Sequence, residues 1–245
     1  MTAAWNARTA LLLGAEGMER VSRSHVVVVG TGGVGAAVAE MLVRAGIGHL
    51  CLIDNDLVAL SNINRQLPAL HSTVGRSKVE VLRERLTDIN PELDLVVQAA
   101  YLEEGNVAQM LDAWERQPDF VVDAIDTVSP KVALIQHCLA AGIPLVSSMG
   151  SGAKFDATRV RVADISRTRM CPLAHMLRKR LHKLGIYEGF LAVYSEEEPR
   201  TDSIVIEESR NKKSQAGTIS YMPAVFGCVC AQAVLGRIAG INEID

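Results

Sequence analysis

A run of four valines breaks on Gly30-Thr-Gly-Gly-Val-Gly35, and no other stretch narrows the possible folds as strongly. His25–Val29 reads as a short buried strand, and Val34–Ala45 carries helical spacing ended by Gly46 and Gly48. Gly30, Gly32 and Gly35 match GxGxxG between the two, and Gly33 completes a GxGGVG form. Glycine permits the positive φ of a tight turn and lets backbone approach a phosphate, which then meets the helix N-terminus. Asp54 follows a second strand, His49–Ile53, 19 residues after Gly35, where a carboxylate can accept ribose hydroxyls. Alone, this says adenine nucleotide and no more.

The alternation continues downstream. Ser77–Ile89 reads as a helix stopped by Asn90-Pro91, Leu95–Ala99 as a strand and Asn106–Trp114 as a helix. Phe120–Val122 reads as a strand, Pro130–Ala141 as a helix and Pro144–Ser148 as a strand. Strands and helices alternating at this length predict an α/β, Rossmann-like fold, a mostly parallel sheet with helices on both faces. The expected organisation is one domain over residues 1–245, with a nucleotide-binding core at 25–150. Residues 151–245 form a smaller extension that binds substrate and closes the site. In it we expect a strand at Thr158–Ala163, a helix at Pro172–Leu184 and a strand at Phe190–Tyr194. A mobile loop at about 196–217 and a core helix at Pro223–Ala239 follow.

Composition removes several classes. Aromatics make up 4% of the chain, so the base-stacking platforms of single-strand binders are not expected. A net charge of −3 argues against wholesale nonspecific nucleic-acid binding, though not against a local basic patch. The five cysteines include no CxxC, which disfavours a disulfide framework and a four-thiolate zinc site. No stretch resembles a signal peptide or a membrane span, and a cytoplasmic location is expected.

The chemistry concentrates after the second strand. Asn62, Arg65, Gln66 and, past a turn at Gly75, Lys78 bring two cations and two amides near the carboxyl ends of the strands. Displacing a phosphate builds charge that such fixed cations stabilise. Asp126, in FVVDAIDT, lies at the same sheet edge and could hold Mg²⁺, with Asp123 the rival carboxylate. A hydride-transfer enzyme or an NAD-sensing regulator has no need of this set.

With these motifs (GxGGVG, the Asp54–Asp56 DxD, NxNRQ at Asn62–Gln66, GxxK at Gly75–Lys78 and DAID at Asp123–Asp126) the chain resembles the E1-like, ThiF–MoeB adenylating superfamily. The resemblance implies that Asp54 binds ribose, that Asn62, Arg65 and Lys78 handle phosphates with support from Gln66, and that Asp126 coordinates Mg²⁺. It also implies that Arg8 is lent to the ATP of a neighbouring subunit, hence a homodimer.

Substrate class is a separate question. Between Lys154 and Lys183 stand nine Lys or Arg and two Asp, a local surplus of seven positive charges in a chain of net −3. Such a patch beside an adenylation site suggests an RNA backbone, with Arg159, Arg161, Arg167, Arg178, Lys179 and Arg180 as contacts. SNINRQLPAL, DAIDTVSPKVALI, the run Gly150–Thr168, PLAHMLRKRL and GTISYMPAVFG resemble the tRNA threonylcarbamoyladenosine dehydratases over nearly the whole chain. That resemblance implies ATP-dependent cyclisation of N6-threonylcarbamoyladenosine at position 37 of tRNA, through adenylation of the threonine carboxylate. It leaves room for a monovalent cation and for a sulfur-transfer or redox partner. The alternative within the fold is adenylation of the C-terminus of a sulfur-carrier or ubiquitin-like protein. Cys171 reads either as a nucleophile or as a small residue capping the following helix, and Cys228 and Cys230 read as packing.

Overall fold

The computed structural model describes residues 4–112, 116–205 and 215–241. The first strands form on aliphatic runs, β1 (His25–Val29), β2 (His49–Ile53), β3 (Asp94–Gln98), β4 (Phe120–Asp123) and β5 (Leu145–Ser148), buried on both faces except for β3, which is partly exposed at the sheet edge. They join β6 (Val160–Asp164) and β7 (Leu191–Ser195) in one seven-stranded sheet of order β3-β2-β1-β4-β5-β7-β6. All neighbours are parallel except the edge strand β6, which runs antiparallel to β7. The strand order reverses between β1 and β4, and the crevice beyond their carboxyl ends is where such sheets bind ligands.

One face is covered by α1 (Ala7–Arg23), α2 (Gly33–Ala45), α3 (Lys78–Ile89) and α7 (Tyr221–Ala239). The other is covered by α4 (Val107–Asp112), α5 (Val128–Ala141) and α6 (Pro172–His182). A short pair, β8 (Ile204–Val205) and β9 (Gln215–Ala216), stands apart. By length and composition α7 could cross a membrane, yet Met222, Phe226, Cys230 and Val234 are buried in the core against α2 and the sheet.

Two expectations change, and a third falls partly outside the described residues. The helix α1 was not expected: Gly14, at φ 70° and ψ 175°, kinks it and interrupts the apolar spacing that would have announced it. The helix expected to reach Trp114 is described only to Asp112, and 113–115 lie outside the described residues. The loop expected at 196–217 is held at several described points. Glu196 pairs with Arg169, Glu197 accepts the Phe155 and Asp156 N–H groups, and β8 pairs with β9; 206–214 lie outside the described residues.

Candidate active site

The glycine loop makes the closest backbone approach in the site. Gly30 has φ +88°, and a Cβ there would lie 2.8 Å from the Ala124 carbonyl oxygen, so loop and β4 are in direct contact. A Cβ on Gly35 would fall 1.8 Å from the Gly30 oxygen, which forbids any side chain where α2 begins. Gly33 has a different reason: its Cβ would meet Pro223 of α7 at 2.7 Å and the Arg65 oxygen at 3.0 Å. That glycine lets α7 and the Arg65 segment close on the N-terminal end of α2.

Asp54 is fixed to this loop. Its Oδ2 accepts from the Thr31 N–H at 2.6 Å and from the Thr31 hydroxyl at 2.9 Å, and its Oδ1 accepts from the Asp56 N–H at 2.8 Å. A carboxylate has further lone pairs, so it can also take a ribose hydroxyl while these bonds hold it in place. Thr31 escaped sequence reading, where it counted only as a spacer between glycines.

The polar cluster assembles on the segment after β2. Asn62 turns its Oδ1 back to the Ala59 N–H at 3.0 Å, a local bond that shapes the turn. The Arg65 guanidinium donates to the Ser61 oxygen at 2.9 Å and to Asn64 Oδ1 at 2.8 Å. Asn64 in turn donates to the Thr218 oxygen at 2.9 Å, which ties the segment to the chain entering α7. Gln66 lies against Gly32, and its Oε1 is buried without a hydrogen-bond partner. Lys78, 5% exposed, points its Nζ to Asp56 Oδ2 at 2.7 Å, and the Asp56 side chain is 61% exposed. The pair therefore opens outward, where an anion can share the ammonium.

The two rival carboxylates differ in burial. Asp123 is fully buried; its Oδ2 accepts from Lys131 Nζ at 2.6 Å and from the Ser147 hydroxyl at 2.7 Å, and its Oδ1 accepts from the Ile125 N–H. Asp126 is exposed, three residues on, at the mouth of the crevice. Asp123 thus braces the turn that presents Asp126 and is not available to an ion. Among the described residues no group of three or more His, Cys, Asp or Glu could hold a metal. The donor set suits Mg²⁺ taken up with a nucleotide, through one carboxylate and phosphate oxygens.

Arg8 sits elsewhere. It is exposed on α1, two residues past Asn6, whose amide lies near Gly46 at the far end of α2. A helix of 13 residues, about 20 Å long, separates Gly46 from this chain's own glycine loop.

The expected RNA contacts are of two kinds. Arg159, Arg167, Lys179 and Arg180 are exposed and make no salt bridge among the described residues. Arg161 is shared with Glu196, at 3.5 Å, and Arg178 donates to the Thr168 oxygen at 2.9 Å. Arg178 therefore braces the turn before α6. Cys171 occupies the N-cap position of α6 and is buried, Cys230 is buried, and Cys228, expected in packing, is exposed. Lys154 is buried close by, donates to the Glu197 oxygen, and burial pushes its ammonium below the usual lysine range.

Comparison with known proteins adds to this geometry. The ThiF family profile matches residues 6–245. A tRNA threonylcarbamoyladenosine dehydratase of Bacillus subtilis (strain 168) is 39% identical over 234 residues, covering 91% of this chain and 89% of the relative. The protein of the same description from Escherichia coli (strain K12) is 44% identical over 256 residues, covering 96% of this chain and 94% of the relative. The crystal structure of the E. coli tRNA N6-threonylcarbamoyladenosine dehydratase in complex with ATP superposes with a TM-score of 0.87 and 35% identity, over 96% of this chain and 94% of that one.

Proposed function

Because this chain belongs to the ThiF family, we propose that it is an ATP-dependent adenylating enzyme that dehydrates N6-threonylcarbamoyladenosine in tRNA. The observation that carries the proposal is the joining of two halves by Asn64. The Arg65 segment is hydrogen-bonded to the chain entering α7, whose Pro223 closes on the glycine loop.

A threonine carboxylate is a poor electrophile at neutral pH. In the proposed first step its oxygen attacks the α-phosphorus of ATP, and pyrophosphate leaves. In the second, a nearby atom of the carbamoyl arm attacks the activated carbonyl, AMP leaves, and the ring closes with net loss of water. Intramolecular closure has a high effective concentration, so a covalent enzyme thioester is not required. The buried, capping position of Cys171 agrees with that.

The chain's own residues have these parts. Asp54, held by Thr31, accepts a ribose hydroxyl, and the N–H groups opening α2 receive phosphate oxygens. Arg65, held by hydrogen bonds to Ser61 and Asn64, stabilises the charge that builds on the displaced phosphates. Lys78 adds a second cation, oriented by Asp56, while Asn62 and Gln66 shape the segment against Gly32. Asp126 would hold Mg²⁺, which when bound supplies further charge neutralisation on the phosphates. Arg159, Arg167, Lys179 and Arg180 meet the RNA backbone.

The proposal includes a homodimer. Arg8 stands a helix length from its own glycine loop, and Leu11 and Leu12 beside it are 87% and 80% exposed. An exposed apolar pair next to a cation fits a face that a second copy covers while taking the arginine into its ATP site. Such an enzyme would work in the cytoplasm, where tRNA is. The test is AMP release: it should require tRNA that carries threonylcarbamoyladenosine. Release driven instead by a sulfur-carrier or ubiquitin-like protein would overturn the proposal.

A further inference from the structure

Phe155, Tyr221 and Arg200 form an exposed ledge that the adenylation mechanism does not use. Phe155 is 57% exposed and Tyr221 37% exposed; their rings meet edge to face at 5.9 Å and 78°. The Arg200 guanidinium lies over the Phe155 ring at 5.8 Å. An exposed phenyl ring normally costs solvation, and a chain so poor in aromatics has few of them to place here.

The ledge is braced from several sides. The Phe155 N–H donates to both Glu197 carboxylate oxygens, at 3.0 and 2.8 Å, and the Phe155 carbonyl accepts from the Tyr221 hydroxyl at 2.7 Å. The Arg200 N–H donates to the Ala153 oxygen at 2.9 Å. Ala153 itself has φ 57°, a left-handed conformation uncommon outside glycine. Its N–H reaches the Gly217 oxygen at 2.8 Å, and the next carbonyl, of Thr218, holds Asn64 and through it Arg65. Tyr221 lies two residues before Pro223, which rests on Gly33. The ledge therefore adjoins the phosphate side of the crevice. Of the carboxylates around it, Glu197 is occupied by backbone N–H groups, Glu196 by Arg161 and Arg169, and Asp156 by Thr158, while Glu198 and Asp202 are exposed on either side of Arg200.

We propose that the Phe155–Tyr221–Arg200 ledge is a stacking platform for an RNA base next to the adenosine being modified. This rests on the tRNA reading above. Aromatic rings and arginine planes take splayed bases by their π-faces with little regard to sequence, and the Arg200 guanidinium can also meet a flanking phosphate. The low aromatic content argues against such a platform. The fold offsets this by bringing together two of the few aromatics, 66 residues apart in the chain.

The test uses an anticodon stem-loop RNA bearing threonylcarbamoyladenosine, with 2-aminopurine placed on its 5′ or its 3′ side in separate molecules. The wild-type protein should quench one of the two probes. Phe155→Leu should lose that quenching and raise the KM for the stem-loop by about tenfold, with ATP affinity and salt dependence unchanged. Phe155→Trp should retain quenching. Equal quenching and equal KM in Phe155→Leu and wild type overturns the platform while leaving the tRNA reading intact. Failure of the wild-type protein to bind either stem-loop overturns both.

Discussion

Lys131 Nζ and Asp123 Oδ2 stand 2.6 Å apart, and both side chains are wholly removed from solvent. The Ser147 hydroxyl and Ser148 carbonyl complete the shell around the ammonium at 3.0 Å each. Removing one partner leaves a buried charge uncompensated, at a cost of about 3–5 kcal/mol. Lys131→Met should therefore lower stability in urea by that order, and Asp123→Asn with Lys131→Met should recover a large part. A single variant no less stable than the double would show that the pair is not coupled.

Asp126 should behave in the opposite way. Exposed at the crevice mouth, its replacement by Asn should cost far less stability than breaking the buried pair. It should raise the Mg²⁺ concentration needed for AMP formation. Arg65→Ala should leave the protein folded and lower AMP formation about 10²–10³-fold. Retained turnover in Arg65→Ala would remove the arginine from the phosphate site.

Arg8 allows a complementation assay. Arg8→Ala and Arg65→Ala should each be impaired alone. Mixed and re-equilibrated in equal amounts, they form heterodimers in which one of the two sites has both arginines intact. Recovery approaching about one quarter of wild-type activity is expected if exchange is random. No recovery, with subunit exchange verified, would mean that Arg8 does not serve a neighbouring site.

The nucleotide half was legible because its signals are local. A valine strand, a glycine loop and a helix follow one another in the chain, and strand, turn and helix periods identify them. The acid at Asp54 was legible for the same reason, but its partner Thr31 was not, because the Thr31–Asp54 bond spans 23 residues. The burial of Asp123 needed the fold, since its partners Lys131 and Ser147 lie 8 and 24 residues away in the chain. The basic segment was legible as charge, whereas the inward use of Arg178 and the sharing of Arg161 with Glu196 depend on which way each side chain turns.

Those differences should appear in RNA binding. Replacing Arg159, Lys179 and Arg180 by Ala should weaken tRNA binding, and each lost phosphate contact should reduce the log–log salt slope by about 1. Arg178→Ala should mainly destabilise the turn at Thr168, with a salt slope close to that of wild type. Unchanged affinity in the triple variant would make the segment an ordinary solvated face.

The most direct test of the account is to incubate the purified protein with ATP and bulk tRNA from cells that lack the cyclising activity, then to digest the tRNA and weigh its nucleosides. Threonylcarbamoyladenosine should lose the mass of one water, with AMP formed in step and no change when ATP is withheld. Threonylcarbamoyladenosine recovered at its original mass, from protein that binds ATP and is fully folded, would contradict it.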